Sequence, residues 1–284
     1  MKNEINWFPG HMKKATDEIK KSIKLVDIVV EIVDARAPIS TKNPDTDKII
    51  SNKKKIIILS KADLAKKETL ASYINFYNKN GYISLYADFF NKRDIKKILN
   101  LFETQRKKLL LNGKEKGIEL NIMKLMVIGL PNVGKSTFIN AVTFKKSLVT
   151  GNKPGVTKGK QWINLSDKLK LLDTPGIMQT KIKDEETALK IAFLGSIKDE
   201  LLELDEIYYN LLRYFISEKN KIFYESFEID KNETEIEKIS MGIAKKRGFL
   251  IKGGNIDYQR LEKAVISEFR AGKYGKIQLD KLTI

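Results

Sequence analysis

Gly129-Leu130-Pro131-Asn132-Val133-Gly134-Lys135-Ser136 stands near the middle of the 284-residue chain, after an apolar run and before a helical pattern that starts near Lys135. No other segment constrains the fold as tightly. Its glycines let successive backbone N–H groups turn toward one point with no Cβ in the way. The helix start adds its positive end. Such a strand–loop–helix cradles phosphate, with Asn132, Val133, Gly134, Lys135, Ser136 and Thr137 as the contact residues. In it, Lys135 reaches the β- and γ-phosphates and Ser136 ligates Mg²⁺.

Four further segments fit the same ligand. Asp173-Thr174-Pro175-Gly176 closes a later strand, placing Asp173 to hold Mg²⁺ through water and the Gly176 N–H to touch a γ-phosphate. Between the two lies the polar stretch Pro154-Gly155-Val156-Thr157, whose Thr157 hydroxyl completes the Mg²⁺ shell when GTP is bound. Ser60-Lys61-Ala62-Asp63 closes an apolar run some seventy positions before the phosphate loop. The Asp63 carboxylate can accept guanine N1–H and N2–H₂, which adenine does not offer, and the Lys61 stem can cover the base plane. Ser60 stands where Asn is usual, and its hydroxyl is shorter and makes fewer bonds. Tyr86-Ala87-Asp88 follows a third strand and resembles the Ser-Ala-Lys loop whose backbone N–H meets guanine O6, with Ala87 as the contact residue.

The rest of the pattern is that of an α/β domain. Asp27–Asp34, Lys55–Ser60, Tyr82–Ala87 and Met123–Gly129 read as buried strands, rich in apolar and β-branched residues. Lys66–Asn80 and the basic amphipathic stretch Asp94–Leu111, with Ile95, Ile98, Leu99 and Phe102 on one face, read as helices between them. Alternation of this kind predicts a mostly parallel sheet with right-handed crossovers. Gln161–Leu165 and Leu169–Asp173 predict an antiparallel edge hairpin. From about Glu185 the pattern turns helical, including Leu201–Ser217, Glu233–Gly248 and Tyr258–Gly272. The expected organisation is a nucleotide-binding domain over 1–180 and an all-helical domain over 181–284.

Composition narrows the chemistry. The chain has no cysteine, which excludes disulfides, Cys-ligated zinc and thiol catalysis. The 42% hydrophobic fraction suits a packed core. No apolar run approaches the roughly 20 residues of a membrane span. The N-terminus has no apolar stretch of signal-peptide type, so a cytoplasmic protein with no membrane partner is expected. The net charge of +17 is uneven. Residues 1–184 hold 36 Lys/Arg against 18 Asp/Glu, residues 185–237 hold 6 against 14, and residues 238–284 hold 11 against 4. A polyanionic partner fits that excess, and so does a lysine-rich, AT-biased genome.

The order of the parts resembles that of circularly permuted GTPases: base reader, base loop, phosphate loop, threonine loop, Asp-Thr-Pro-Gly. In ordinary GTPases the base reader follows the phosphate loop. Trp7-Phe8-Pro9-Gly10-His11-Met12 and Asp34-Ala35-Arg36-Ala37-Pro38 narrow the resemblance to the YlqF/RbgA family. So do Gly254-Asn255-Ile256-Asp257-Tyr258-Gln259-Arg260 and Phe269-Arg270-Ala271-Gly272-Lys273-Tyr274-Gly275 near the end, so the likeness spans nearly the whole chain. It implies a circularly permuted P-loop GTPase with a helical C-terminal domain. Its partner would be the precursor of the large (50S) ribosomal subunit, both rRNA and ribosomal proteins, with hydrolysis triggering release. GTP, GDP and Mg²⁺ are the expected ligands, and no DNA is expected.

The resemblance also implies a catalytic role for His11, the only histidine. Ile177 follows Gly176 where many GTPases carry a water-orienting glutamine, and an imidazole can do that work. The other reading of the opening motif is a staple that fixes the N-terminus. Asn132 likewise has two readings: a partner of K⁺ beside the phosphates, or a side chain bonded to its own loop. Lys245, Lys246, Arg247, Lys252, Arg260, Arg270, Lys273 and Lys276 are the candidate rRNA-phosphate contacts. Two rivals stand beside the large-subunit reading: a permuted GTPase acting on another RNA target such as the small subunit, and a nucleotide-switched RNA-binding module with little hydrolysis.

Overall fold

The computed structural model describes residues 17–50, 53–114, 122–143, 161–174, 176, 182 and 184–282. Its contacts divide the chain into two units, Met1–Lys183 with Gln278–Ile284, and Asp184–Ile277.

The first unit is built on a six-stranded sheet. Its strands are β1 (Ile28–Asp34), β2 (Lys54–Ser60), β3 (Ile83–Tyr86), β4 (Met123–Ile128), β5 (Gln161–Ser166) and β6 (Leu169–Asp173). They lie in the order β3-β2-β1-β4-β6-β5. All pairs are parallel except β5 with β6, which form the expected antiparallel edge. Its helices include α1 (Pro44–Ile50), α2 (Lys67–Lys79), α3 (Lys92–Lys114) and α4 (Lys135–Thr143). β1 is buried along its whole length, as a strand flanked on both edges and covered on both faces must be. Alternation puts Val29, Glu31 and Val33 on one face of β1. Around Val29 pack Ile19, Ile50, Met126 and Leu172. Around Val33 pack Ile57, Leu59, Leu70, Tyr73 and Tyr77. Glu31 sits between these clusters, fully buried. Its charge is met by Lys55 of β2, and the Asn43 N–H donates to it at 3.0 Å.

The second unit holds α5 (Glu185–Phe193), α6 (Leu204–Ser217), α7 (Lys221–Phe227), α8 (Ile236–Arg247) and α9 (Tyr258–Arg270). Its core is aromatic. Phe215 stacks on Phe223 at 4.2 Å, and Tyr274 stands edge-on to Phe215 at 5.2 Å. Helix ends are signed by their caps. Asp184, Asn220 and Asp257 accept from backbone N–H groups at the starts of α5, α7 and α9. Gly248 ends α8 at φ 67°, in the left-handed region that a C-cap requires. A short antiparallel bridge, Leu250 with Ile256, joins α8 to α9.

The sequence boundary near 180 lies close to the contact boundary, but the helical unit does not run to the end of the chain. After Ile277 the chain leaves it and lies against the sheet unit. The Leu279 N–H donates to Arg36 O at 2.7 Å, and the Tyr73 hydroxyl to Asp280 O at 2.7 Å. These last residues have no helical period to follow, and their backbone groups pair with a loop of the first unit instead.

Candidate functional site

The loop between β4 and α4 is shaped by close packing. Gly129 has φ 150°, and a Cβ there would lie 2.5 Å from the Ile32 carbonyl oxygen of β1. Any side chain at this position would push the loop off the central strand. Asn132 and Gly134 follow with φ 59° and 100°, which turn the chain before α4 begins. Lys135, the first residue of α4, folds back across its own loop and donates to Gly129 O at 3.1 Å and Leu130 O at 2.6 Å. Ser136 and Thr137 occupy the next two positions and are half-buried.

Asp173 ends β6, the strand beside β4, and is buried. Thr174 fixes that strand end by donating its hydroxyl to Val127 O at 2.6 Å. Burial pushes the Asp173 carboxyl up to about 6, with the Lys135 ammonium acting against it. Burial likewise pushes Lys135 down to about 8, with Asp173 acting against it. Each group is thus held in a setting that disfavours its own charge. A phosphate beside Lys135 and a cation beside Asp173 would compensate both. Gly176 comes close to the same loop: a Cβ on it would stand 3.0 Å from Lys135 Nζ and 3.1 Å from Pro131 N.

The segment 60–63 meets this loop from the neighbouring strand end. The Ser60 hydroxyl lies 2.6 Å from Val133 O and 2.9 Å from Val33 O. The Lys61 ammonium donates to Asn132 O at 2.7 Å. Two motifs some seventy residues apart are therefore stitched together by side chain to backbone bonds, and the short Ser60 hydroxyl is long enough for the purpose. The Ala87 N–H expected to face guanine O6 instead donates to Leu59 O at 2.9 Å, because it continues the β2–β3 ladder one residue past the strand, and Ala87 O accepts from Ala62 N at 3.3 Å. Asp63 lies at the exposed side of this junction. Phe89 packs on Phe138 of α4 with ring centres 5.2 Å apart, fixing the loop after β3 against the helix that opens at the phosphates.

Behind the junction lies a cluster whose role sequence reasoning missed. Asp34, at the end of β1, and Arg36 are each 1% exposed. Arg36 donates Nε to Asp34 Oδ1 at 3.0 Å and Nη2 to Oδ2 at 2.8 Å. Lys61 Nζ stands 2.9 Å from the same Oδ2. Burial alone would raise the Asp34 carboxyl, but the Arg36 and Lys61 cations overcome it and hold the group well below the usual carboxylate range. Burial lowers Lys61, and Asp34 restores part of the loss. The one sequence sign of this cluster was an Asp-x-Arg ending a run of apolar, β-branched residues.

Comparison with known proteins follows the same outline. A family model described as "50S ribosome-binding GTPase" matches residues 124–246. It begins at β4 and leaves out residues 60–63, as a rotated order of parts requires. Over its full length the chain is similar to ribosome biogenesis GTPase A from Bacillus cereus, 35% identical over 97% of this chain and 93% of the relative. It is similar to the Thermotoga maritima protein of the same name at 33% identity over 98% and 94%. The chain belongs to the ribosome biogenesis GTPase A family. A solved structure of GNP-bound YlqF from T. maritima overlays with a TM-score of 0.66 at 32% identity, covering 94% of this chain and 98% of that one. A GDP-bound structure gives 0.65 at 31%, over 93% and 98%. The protein is thus a circularly permuted P-loop GTPase, an enzyme that hydrolyses GTP to GDP and phosphate, and a GTPase of ribosome assembly.

His11 and Thr157 lie outside the described residues, as do the stretches 1–16 and 144–160 around them. The candidate RNA contacts all fall in the helical unit. Lys246 pairs with Glu228, and Arg247 and Lys273 both pair with Glu268, at 2.8 and 3.0 Å. Arg270 is bound most: it donates to Ala192 O, Phe193 O and Asp199, and so closes the end of α5. Arg260 lies over the Phe249 ring at 4.6 Å. Lys245 is exposed near the end of α8. Among the described residues, no group of three or more His, Cys, Asp or Glu could hold a metal, and no helix is long and apolar enough to cross a membrane.

Proposed function

We propose that this GTPase acts on the precursor of the large ribosomal subunit, engaging rRNA and ribosomal proteins in the GTP state and leaving on hydrolysis. The observation that most supports a working guanine switch is the stitching of Ser60 and Lys61 to the carbonyls of Val133 and Asn132. It supports a guanine reader at Ser60–Asp63, with Asp63 accepting from the base, that works beside a phosphate cradle of Asn132–Thr137. The large-subunit assignment is supported by the family description and by the sequence likeness.

Mg²⁺ fits the residues at hand. Asp173 offers a carboxylate disfavoured by burial, beside a loop where Ser136 offers a hydroxyl and the nucleotide brings its own oxygens. Thr157 completes the shell in the GTP state. A divalent cation held by Asp173 and Ser136 would supply charge neutralisation at the phosphates. Lys135 does the same from the protein side, and Gly176 N–H holds the γ-phosphate. His11 orients the attacking water. Lys245 and Arg260, with Lys246, Arg247, Arg270 and Lys273 exchanging their internal partners for phosphate, supply rRNA contacts. The first unit carries the greater share of positive charge for the same purpose.

Co-sedimentation with separated ribosomal subunits tests the reading, run with GDP and with a non-hydrolysable GTP analogue. Binding to large-subunit precursors should be stronger with the analogue and fall steeply with salt. Equal binding to small subunits, or binding that ignores the nucleotide, overturns it. His11→Ala should lower maximal hydrolysis on the large subunit by roughly 10²-fold with nucleotide affinity retained. Unchanged turnover removes His11 from the mechanism.

A further inference from the structure

The loop after β1 is held from two directions. From within, Arg36 spends its fork on both oxygens of Asp34, and Asp34 Oδ2 also faces Lys61 Nζ. From outside, residues 278–280 grip the loop's backbone. Arg36 O accepts from the Leu279 N–H at 2.7 Å and from Gln278 Nε2 at 3.2 Å. The Asp280 carboxylate accepts from Ile39 N at 2.7 Å, Ser40 N at 3.0 Å and the Ser40 hydroxyl at 2.5 Å. Thr41, one residue on, accepts the Asp34 N–H at 2.9 Å.

Lys61 is where this lattice reaches the site. Its side chain is 27% exposed, against 1% for Asp34, and its backbone has φ 53°, a conformation that L-residues rarely adopt. Its ammonium has two fixed points, the Asp34 carboxylate and Asn132 O of the phosphate loop. The stem between backbone and ammonium is therefore drawn to one position. A buried ion pair is poor evidence of stabilisation, since apolar residues of like volume often serve as well. Its value here lies in orientation: only a carboxylate with a fixed plane can hold Lys61 against a carbonyl from another loop.

We propose that Asp34 and Arg36 are positioning residues for guanine-nucleotide binding, and that Gln278–Asp280 hold them in register, so that residues near the end of the chain help to set the affinity of the site. This rests on the reading of Ser60–Asp63 as the guanine reader. The effect runs through Lys61 and its bond to Asn132 O, whereas the scheme gives the γ-phosphate to Lys135 and the Gly176 N–H. GDP and a GTP analogue should therefore be affected alike.

The test uses the full-length protein, titrated with GDP and with a non-hydrolysable GTP analogue well below its melting temperature. Asp280→Ala and Gln278→Ala change none of the residues assigned to nucleotide contact and should each weaken both ligands equally, by roughly 3- to 30-fold. Arg36→Lys keeps the charge but cannot fork, so it should recover part of the affinity that Arg36→Ala loses. Should Arg36→Ala fail to fold, the two tail variants carry the test. Tail variants that melt earlier yet bind both nucleotides like the wild type overturn the proposal, because a purely structural strap would do that. Asp63→Asn is the control. If it weakens binding while the tail variants do not, this inference alone fails. If Asp63→Asn also binds as wild type, the guanine-reader reading fails and takes this one with it.

Discussion

The two units bury different things. The sheet unit buries charge: Glu31 with Lys55, Asp34 with Arg36, and Lys135 near Asp173. The helical unit buries rings, with Phe215, Phe223, Phe269 and Tyr274 at its centre, and keeps its ion pairs at the surface. Net charge divides the same way. The sheet unit, with its returning tail, holds 37 Lys/Arg against 18 Asp/Glu, and the helical unit 16 against 18. Desolvating a charge is costly, so a fold that does it repeatedly in one place is spending stability on geometry. In this molecule two of the three, Asp34 with Arg36 and Lys135 near Asp173, lie at the strand ends around the nucleotide loops, and Glu31 with Lys55 lies along the sheet. The helical unit has no such concentration, and its cations are largely answered by its own acids.

The contrast can be broken most forcefully in the two cores. Phe215→Ala removes a ring from the aromatic centre and should cost about 3–5 kcal/mol. Differential scanning calorimetry should show the loss, while titration of the surviving folded protein should return wild-type GDP affinity. A large change in affinity would mean that the units are not energetically separate. Glu31→Ala leaves Lys55 buried without its main partner and should cost a similar ~3–5 kcal/mol. Replacing both, as Glu31→Leu with Lys55→Met, should recover much of the loss in chemical denaturation. No recovery would show that Glu31 matters through its bonds to the 43–46 turn rather than through its charge pair.

Asp63→Asn should cost about 2–4 kcal/mol in GTP binding, because one carboxylate acceptor becomes a donor facing guanine donors. Xanthine nucleotides should lose less, and competition titration measures both. Acid should then single out the sheet unit. The folded Asp34 carboxyl lies below its unfolded value, so its contribution is complete above the ordinary carboxylate range and is lost progressively as pH falls from there toward the depressed folded value. The stability gap between wild type and Asp34→Asn should be widest near neutrality and narrow toward acid. A gap that widens in acid reverses the sign and rejects the assignment. The smallest effect is expected at Arg270. Arg270→Ala frees two carbonyls of α5 and the Asp199 pair, all partly exposed, for about 1–2 kcal/mol. If Arg270→Ala instead abolishes ribosome binding at full stability, Arg270 serves RNA more than its own helix.

Much of the sheet was legible because its strands are continuous apolar runs. Met123–Ile128 and Leu169–Asp173 could be read almost to the residue, and the rotated order of motifs gave the permutation before any contact was known. Pro44–Ile50 escaped notice, being seven residues long and mostly polar, and helical through its neighbours rather than its propensity. The phosphate loop was legible as a motif. The Asp34–Arg36–Lys61 cluster was not, since its members and the Leu279 N–H that steadies it come from three distant stretches of chain. Nothing local in Gln278-Leu279-Asp280 announces where it docks. Arg270 could be read as a cation, but not as the residue that closes α5, because that depends on where the carbonyls of Ala192 and Phe193 end up.

The permuted order also fixes a sequence in time. A chain is made from its N-terminus, so β1, β2 and β3 with the base-reading loops are synthesised before β4 and the phosphate cradle exist. Until β4 arrives, the edge of β1 that will carry Leu125–Ile128 stands open to any passing strand. The clasp at Ile39 and Ser40 closes last of all, when Asp280 has emerged behind the entire helical unit. A nascent chain can thus hold every recognisable motif and still lack the bonds that steady Lys61. Competence for nucleotide would then wait for Gln278–Asp280, synthesised behind the helical unit.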